Sequence, residues 1–242
     1  MKPTFRPERF VPLSLGGKRI GWVRPELAAR LPAWPRVFDS RSKEISLLDP
    51  TALPPVIEQL AKEGFIPGWR NERYRIADLF DIERAAARPF GLTTQAVHLN
   101  GIVGERMWLA RRSATKPIDP GMLDNLVGGG VTAGLTELQV LVKEAWEEAG
   151  ISATLAQKAT PGGTMSVLRE VPEGVQSENI SIYDLELPED FQPRNQDGEV
   201  SEFQLLAFES VKPQLATCAL TYEAALVARD YFNRRAALAK GP

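Results

Sequence analysis

Cysteine is almost absent from this chain of 242 residues: Cys218 stands alone, and histidine is represented only by His98. A single cysteine excludes an intramolecular disulfide framework and fits a reducing compartment. No apolar run approaches the roughly 20 residues that a membrane-spanning helix requires. The first ten residues, MKPTFRPERF, lack the continuous apolar core of a secretion signal, so the expected location is the cytoplasm. Charge of one sign is lacking too: 29 Lys and Arg against 31 Asp and Glu leave a net of −2, which argues against coating nucleic acid. With 43% hydrophobic residues the chain has enough apolar material for one large or two small cores.

Two textures divide it. Residues 1–92 mix proline-rich stretches with short elements: a helix from Pro55 to Lys62 ended by Gly64, a polar strand near Arg70 to Ile76, and a second helix around Leu79 to Ala87 broken by Pro89 and Gly91. From Thr93 the pattern is that of strands. Gln95–Val103 pairs with Arg106–Ala110, further strands are expected at Met165–Val171, Asn179–Glu186 and Phe203–Glu209, and a closing helix at Thr221–Ala239. Strands flanking helices imply a mixed α/β layered domain over residues 93–242, with a smaller N-terminal domain over 1–92. No internal repeat or low-complexity tract interrupts it.

The segment Gly128–Ile151, GGGVTAGLTELQVLVKEAWEEAGI, carries the chemistry. Thr136 reads as an N-cap with Gln139 three residues on, and Gly150 as the left-handed residue that ends the helix, so the helix should run from Glu137 to Ala149. At 100° per residue, Leu138, Leu141, Val142, Ala145 and Ala149 make an apolar stripe, and Glu144, Glu147 and Glu148 share an arc of roughly 100° beside it. Carboxylates three and four apart repel, which opposes helix stability unless a cation offsets them. Hard oxygen ligands suit Mg²⁺ or Mn²⁺. Gly128, Gly129 and Gly130 would let the backbone turn tightly, so that a main-chain carbonyl at Gly129 can join the metal shell. An isolated acidic pair is more often a solvated helix face; the flanking glycines and Gly150-Ile151 shift the balance.

The segment resembles the Nudix box: a glycine, five residues, a glutamate, seven residues, then Arg-Glu-aliphatic-any-Glu-Glu-any-Gly-aliphatic. Aligned on Gly129, the family's metal-binding acids fall on Glu144, Glu147 and Glu148. Two positions depart from it, with Leu135 in place of the first glutamate and Lys143 in place of the arginine. In the family those two residues usually hold the loop against the helix, so their joint loss reads as a replaced structural contact. The runs ERAAARPFG, VHLNG, RRSATK, PGMLDN, YDLELP and DGEV are similar to the Nudix branch that carries an N-terminal domain of unassigned function, a branch related to the Nudix module of fungal thiamine pyrophosphokinase. The resemblance implies a Nudix α/β/α sandwich with a small N-terminal α/β domain. It also implies metal-dependent hydrolysis of thiamine diphosphate or its oxidised analogues, to monophosphate and phosphate.

Further candidates lie outside the box. Glu199 in DGEV is the candidate general base, with Glu148 as the alternative. Arg111, Arg112 and Lys116 are candidate diphosphate contacts, Lys116 foremost. His98, between Val97 and Leu99, reads as a structural side chain. The N-terminal domain is expected to supply part of the substrate pocket, since clefts favour domain interfaces. Three alternatives stay open. One is a nucleotide-sugar or dinucleotide pyrophosphohydrolase. Another is an isomerase of isopentenyl diphosphate type, disfavoured because Cys218 sits far along the chain. The third is a non-catalytic diphosphate-binding module, prompted by Leu135 and Lys143.

Overall fold

The computed structural model describes residues 5–41 and 43–239. By contacts the chain divides into two units: Met1–Gln95, Val131–Gly134 and Ser166–Asn179 form one, and Ala96–Gly130, Leu135–Met165 and Ile180–Pro242 the other. The first unit therefore draws two short segments from the later part of the chain.

In the first unit, β1 (Val11–Leu15) and β2 (Lys18–Val23) form a hairpin through Gly16-Gly17. Both glycines have positive φ, 59° and 77°, which the tight turn requires. After α1 (Pro25–Arg30), β3 (Phe38–Asp39) and β4 (Ile45–Leu47) complete a sheet of order β2-β1-β4-β3. Helix α2 (Leu53–Lys62) buries Leu53, Val56, Ile57 and Leu60, at the helical spacing expected of an amphipathic element, and the chain leaves it at Gly64. Strands β5 (Arg73–Ile76) and β6 (Phe80–Glu83) pair as a second hairpin. The core includes Leu13, Val23, Leu31, Phe38, Leu60 and Phe90.

The helix expected at Leu79–Ala87 is absent. Phe80 and Ile82 point inward and Asp81 outward, a period of two, and the segment pairs with β5 through Tyr74↔Ile82 before a single 3-10 turn at Arg84–Ala86. The alternation, together with a waiting partner strand, overrides the helix preference of the alanines that follow.

Strands β7 (Thr93–Val103), β8 (Arg106–Arg112), β9 (Leu123–Asn125) and β10 (Val127–Gly130) follow. Then come α3 (Glu137–Ala149), α4 (Ala153–Ala156), β11 (Thr160–Val171), β12 (Gly174–Glu186), β13 (Val200–Ala207), α5 (Phe208–Gln214) and α6 (Tyr222–Ala239). The main path of the large sheet runs β11-β12-β7-β8-β13, with β10 added to β7 and β9 to β8. Helices α5 and α6 cover Ile102, Met107 and Leu109 with Phe208, Val211, Ala224 and Tyr231. The result is an α/β sandwich. The strand expected to end at Glu209 stops at Ala207, because Phe208 turns into this core and opens α5.

Among the described residues no helix is long and apolar enough to cross a membrane.

Candidate metal and diphosphate site

Helix α3 is built as its sequence dictates. The Thr136 hydroxyl accepts from the Gln139 N–H, 3.2 Å, while the Gln139 side chain accepts from the Thr136 N–H, 2.8 Å. Gly150 adopts φ 65° and ends the helix. The buried face is turned from the expected one. Val140, Leu141, Ala145, Glu148 and Ala149 are buried, whereas Leu138 is 47% exposed, so one carboxylate sits on the interior side.

The three glycines also differ from the tight turn anticipated: Gly128–Gly130 are extended, and β10 pairs with β7 through Gly128↔His98, Gly129↔Val97 and Gly130↔Ala96. The turn comes later, at Gly134 with φ 88°. Glycine serves close approach instead. A Cβ on Gly128 would lie 3.2 Å from the His98 imidazole, and one on Gly129 only 2.5 Å from Glu144 Cγ.

Two carboxylates thus converge on consecutive strand residues. The Gly128 N–H donates to Glu148 Oε2, 2.8 Å, and the Glu144 side chain lies over Gly129. Burial raises the Glu148 pKa well above the ordinary carboxylate range; the Gly128 hydrogen bond opposes this, the Glu144 charge adds to it, and Lys116 counters it. Glu147 is drawn elsewhere. Lys143 bridges Glu147 and Glu144 at 2.7 and 3.0 Å. Burial lowers the Lys143 pKa, but its bonds to these two acids outweigh that and raise it overall. Among the described residues no three His, Cys, Asp or Glu side chains already stand together as a metal cage.

The loop before α3 no longer relies on the Glu–Arg contact of the box. Leu135 is 38% exposed, and Thr132 and Ala133 are held by Glu72 and Arg73 instead: Thr132 Oγ1 donates to Glu72 Oε1, 2.6 Å, and the Ala133 N–H to the Arg73 carbonyl, 2.8 Å.

The Arg194–Glu199 loop is tied to the end of α3. The Gln196 N–H donates to the Glu147 carbonyl, 2.8 Å, and the Arg194 N–H to the Ala149 carbonyl, 2.9 Å. Glu199 is bound by the Lys116 ammonium, and Lys116 acts electrostatically on both Glu148 and Asp197, whose pKa burial raises. Lys116, Glu199 and Glu148 therefore share one electrostatic neighbourhood. Arg111 and Arg112 are committed elsewhere: Arg111 to Glu202 and the Gly121 carbonyl, Arg112 to the Ile118 carbonyl and Asp124, all within about 3 Å. They hold the loop that carries Lys116.

Sequence reasoning missed a buried polar chain. His98 Nδ1 bonds to Asn125 Oδ1 (2.8 Å), Asn125 Nδ2 donates to Asn100 Oδ1 (3.1 Å), and Asn100 Nδ2 to Asp184 Oδ1 (2.9 Å), which Arg234 also holds. A carboxylate only accepts, so the direction is fixed from Asp184 backwards and the His98 proton lies on Nδ1. The visible signal was Asn100 and Asn125 inside apolar strand segments.

A capped acidic helix laid over a glycine strand of a large helix-covered sheet defines an α/β sandwich with a candidate metal site. The comparisons with known proteins agree. The family model described as NUDIX domain matches residues 93–224, and that described as a domain of unknown function, DUF4743, matches residues 2–94. The chain belongs to the Nudix family. It is 44% identical over 170 residues to Nudix hydrolase 20, chloroplastic, of Arabidopsis thaliana, covering 66% of this chain and 46% of that protein. It is 31% identical over 208 residues to the uncharacterized protein YJR142W of Saccharomyces cerevisiae, covering 74% and 61%. The crystal structure of DR0079 from Deinococcus radiodurans matches with a TM-score of 0.52 at 23% identity, over 66% of this chain and 99% of that one, a likeness of fold. The chain spans about half the length of the first two curated relatives it matches.

Proposed function

We propose that the protein hydrolyses a diphosphate bond in a small molecule with the help of Mg²⁺ or Mn²⁺, and that thiamine diphosphate or its oxidised analogues are the substrates. The observation that carries the reading is the buried Glu148 carboxylate, fixed by the Gly128 N–H with the Glu144 carboxylate beside it. Two acids in a low-dielectric site suit a divalent cation, because each disfavours the charge of the other. Glu144, Glu147 and Glu148 would hold it, Glu147 after exchanging its bond to Lys143.

A backbone carbonyl near Gly129 would complete the set, and strand alternation favours that of Gly128. The Val131 N–H donates to the Gln95 carbonyl, so Val131 and Gly129 face β7, while Gly128 turns its N–H, and with it its carbonyl, the other way. A bound divalent ion would neutralise diphosphate oxygens and acidify a water.

The chain's own groups do the rest. Lys116 would exchange Glu199 for a diphosphate oxygen, which frees Glu199 to accept the proton of the attacking water; Glu148 is the alternative base. Arg111 and Arg112 act by holding the Lys116 loop. The thiamine reading rests on the sequence runs shared with that Nudix branch. Free, exposed Cys218 supports a reducing compartment, for which we propose the cytoplasm.

The Lys143 ion pairs favour one competitor, a module that binds diphosphates without turnover. A hydrolysis screen over thiamine diphosphate, its oxo and oxy analogues, ADP-ribose and NADH, with Mg²⁺ or Mn²⁺, separates the readings. Phosphate release should be fastest from the thiamine compounds, and Glu148→Gln should abolish it with an unchanged circular dichroism spectrum. Faster release of nucleotide from ADP-ribose or NADH overturns the substrate, and binding without any release overturns the activity.

A further inference from the structure

The first unit holds a cavity of about 250 Å³ between α2 and the β5–β6 hairpin. Its apolar floor is Leu53, Ile57 and Ile82, each almost fully buried. Trp69 forms one wall and is 39% exposed. The indole does not swing freely: its Nε1–H donates to Asn71 Oδ1, 2.8 Å, and Asn71 is held at φ 57°, a conformation uncommon for a side chain-bearing residue. With its polar edge satisfied by Asn71, the indole contributes apolar surface to the cavity lining.

Around the cavity acids outnumber bases. Glu58, Asp81 and Glu83 line the cavity against Arg73 alone. Asp81 is steadied by Arg75 at 3.0 Å, and Glu83 accepts the backbone N–H groups of Arg70 and Ala85, at 2.9 and 3.3 Å, so both carboxylates are held in place. An anionic ligand is opposed by three carboxylates. An apolar one would leave them desolvated without compensation. A cation stacked on an indole is attracted both by the ring quadrupole and by the surrounding acids. The volume admits one or two rings and little more.

We propose that this cavity is a binding site for a planar aromatic cation of N-alkylated pyridinium type, stacked on Trp69 and neutralised by Glu58, Asp81 and Glu83. The site stands apart from the hydrolytic reading and does not depend on it.

Calorimetric titration of the full chain with 1-methylnicotinamide tests this, with uncharged nicotinamide and non-planar choline as controls. The pyridinium cation should bind about tenfold more tightly than either control. Trp69→Ala should weaken it by about tenfold, Trp69→Phe by less, and Glu58→Gln by about threefold, while Glu148→Gln leaves it unchanged. Trp69 and Glu58 are exposed, so these variants keep the fold. Equal affinity for nicotinamide, indifference to Trp69→Ala, loss of binding in Glu148→Gln, or no heat at millimolar ligand each overturns the proposal.

Discussion

At Gly129 a single missing methyl group decides whether Glu144 keeps its place. An added Cβ would stand 2.5 Å from Glu144 Cγ and 2.7 Å from its Cδ, both in a flexible side chain rather than in backbone. Gly129→Ala is therefore expected to fold normally, with a melting temperature within a few degrees of the parent, and to lose at least about tenfold in hydrolysis as the carboxylate moves. Gly101 offers the contrast. Its Cβ would meet Leu126 Cδ2 at 2.2 Å and Leu187 Cδ1 at 3.0 Å in a fully packed interior, so Gly101→Ala should cost about 1–3 kcal/mol in denaturant titration. Equal stabilities for the two variants would remove the distinction between a crowded site and a crowded core.

Elements show where local sequence suffices and where it does not. The cap of α3 is a local matter: Thr136→Ala removes the acceptor for the Gln139 N–H and should destabilise the protein by about 1 kcal/mol, read from the shift in a urea midpoint. An unchanged midpoint would mean that tertiary contacts alone hold the helix start. The same locality made the bounds Glu137–Ala149 legible from residues, since Thr136, Gln139 and Gly150 act within one turn of themselves. The phase of the helix was not legible. Leu138 and Trp146 are exposed while Glu148 is buried, a placement set by the strand that α3 covers rather than by side-chain polarity. Gly128–Gly130 were read as a turn for a related reason: glycine marks close approach, and only the neighbouring His98 and Glu144 reveal that the approach is of side chains to a strand. At Leu79–Ala87 the strand partner lay in Arg73–Ile76, a pairing that propensity does not see. For the candidate site, the acids and Lys116 could be named from spacing and type, but the Asn100–Asn125–His98 chain required β7 and β9 to be brought together.

Over the whole molecule, sequence texture puts a boundary near residue 92, yet the contacts group Val131–Gly134 and Ser166–Asn179 with the preceding residues. The bonds behind that grouping are specific. Glu170 holds Arg6 and Arg9 at 3.2 and 2.7 Å, the Val171 carbonyl accepts from Arg24 at 2.6 Å, the Val175 N–H donates to the Arg88 carbonyl at 2.9 Å, and Thr132 donates to Glu72. A chain begun at Thr93 would leave the Val171 carbonyl and the Val175 N–H without these partners, at a cost of about 1–3 kcal/mol each if they stay buried, and would free the Glu170 carboxylate. Two such losses are a large share of the margin by which an ordinary domain is folded. We therefore expect residues 93–242 alone to be insoluble, or to melt at least about 10 °C below the full chain, with Glu170 and Val175 amides exchanging fast in hydrogen-exchange measurements. A truncated protein that melts with the parent and protects those amides would show that the residues before Thr93 are dispensable for folding.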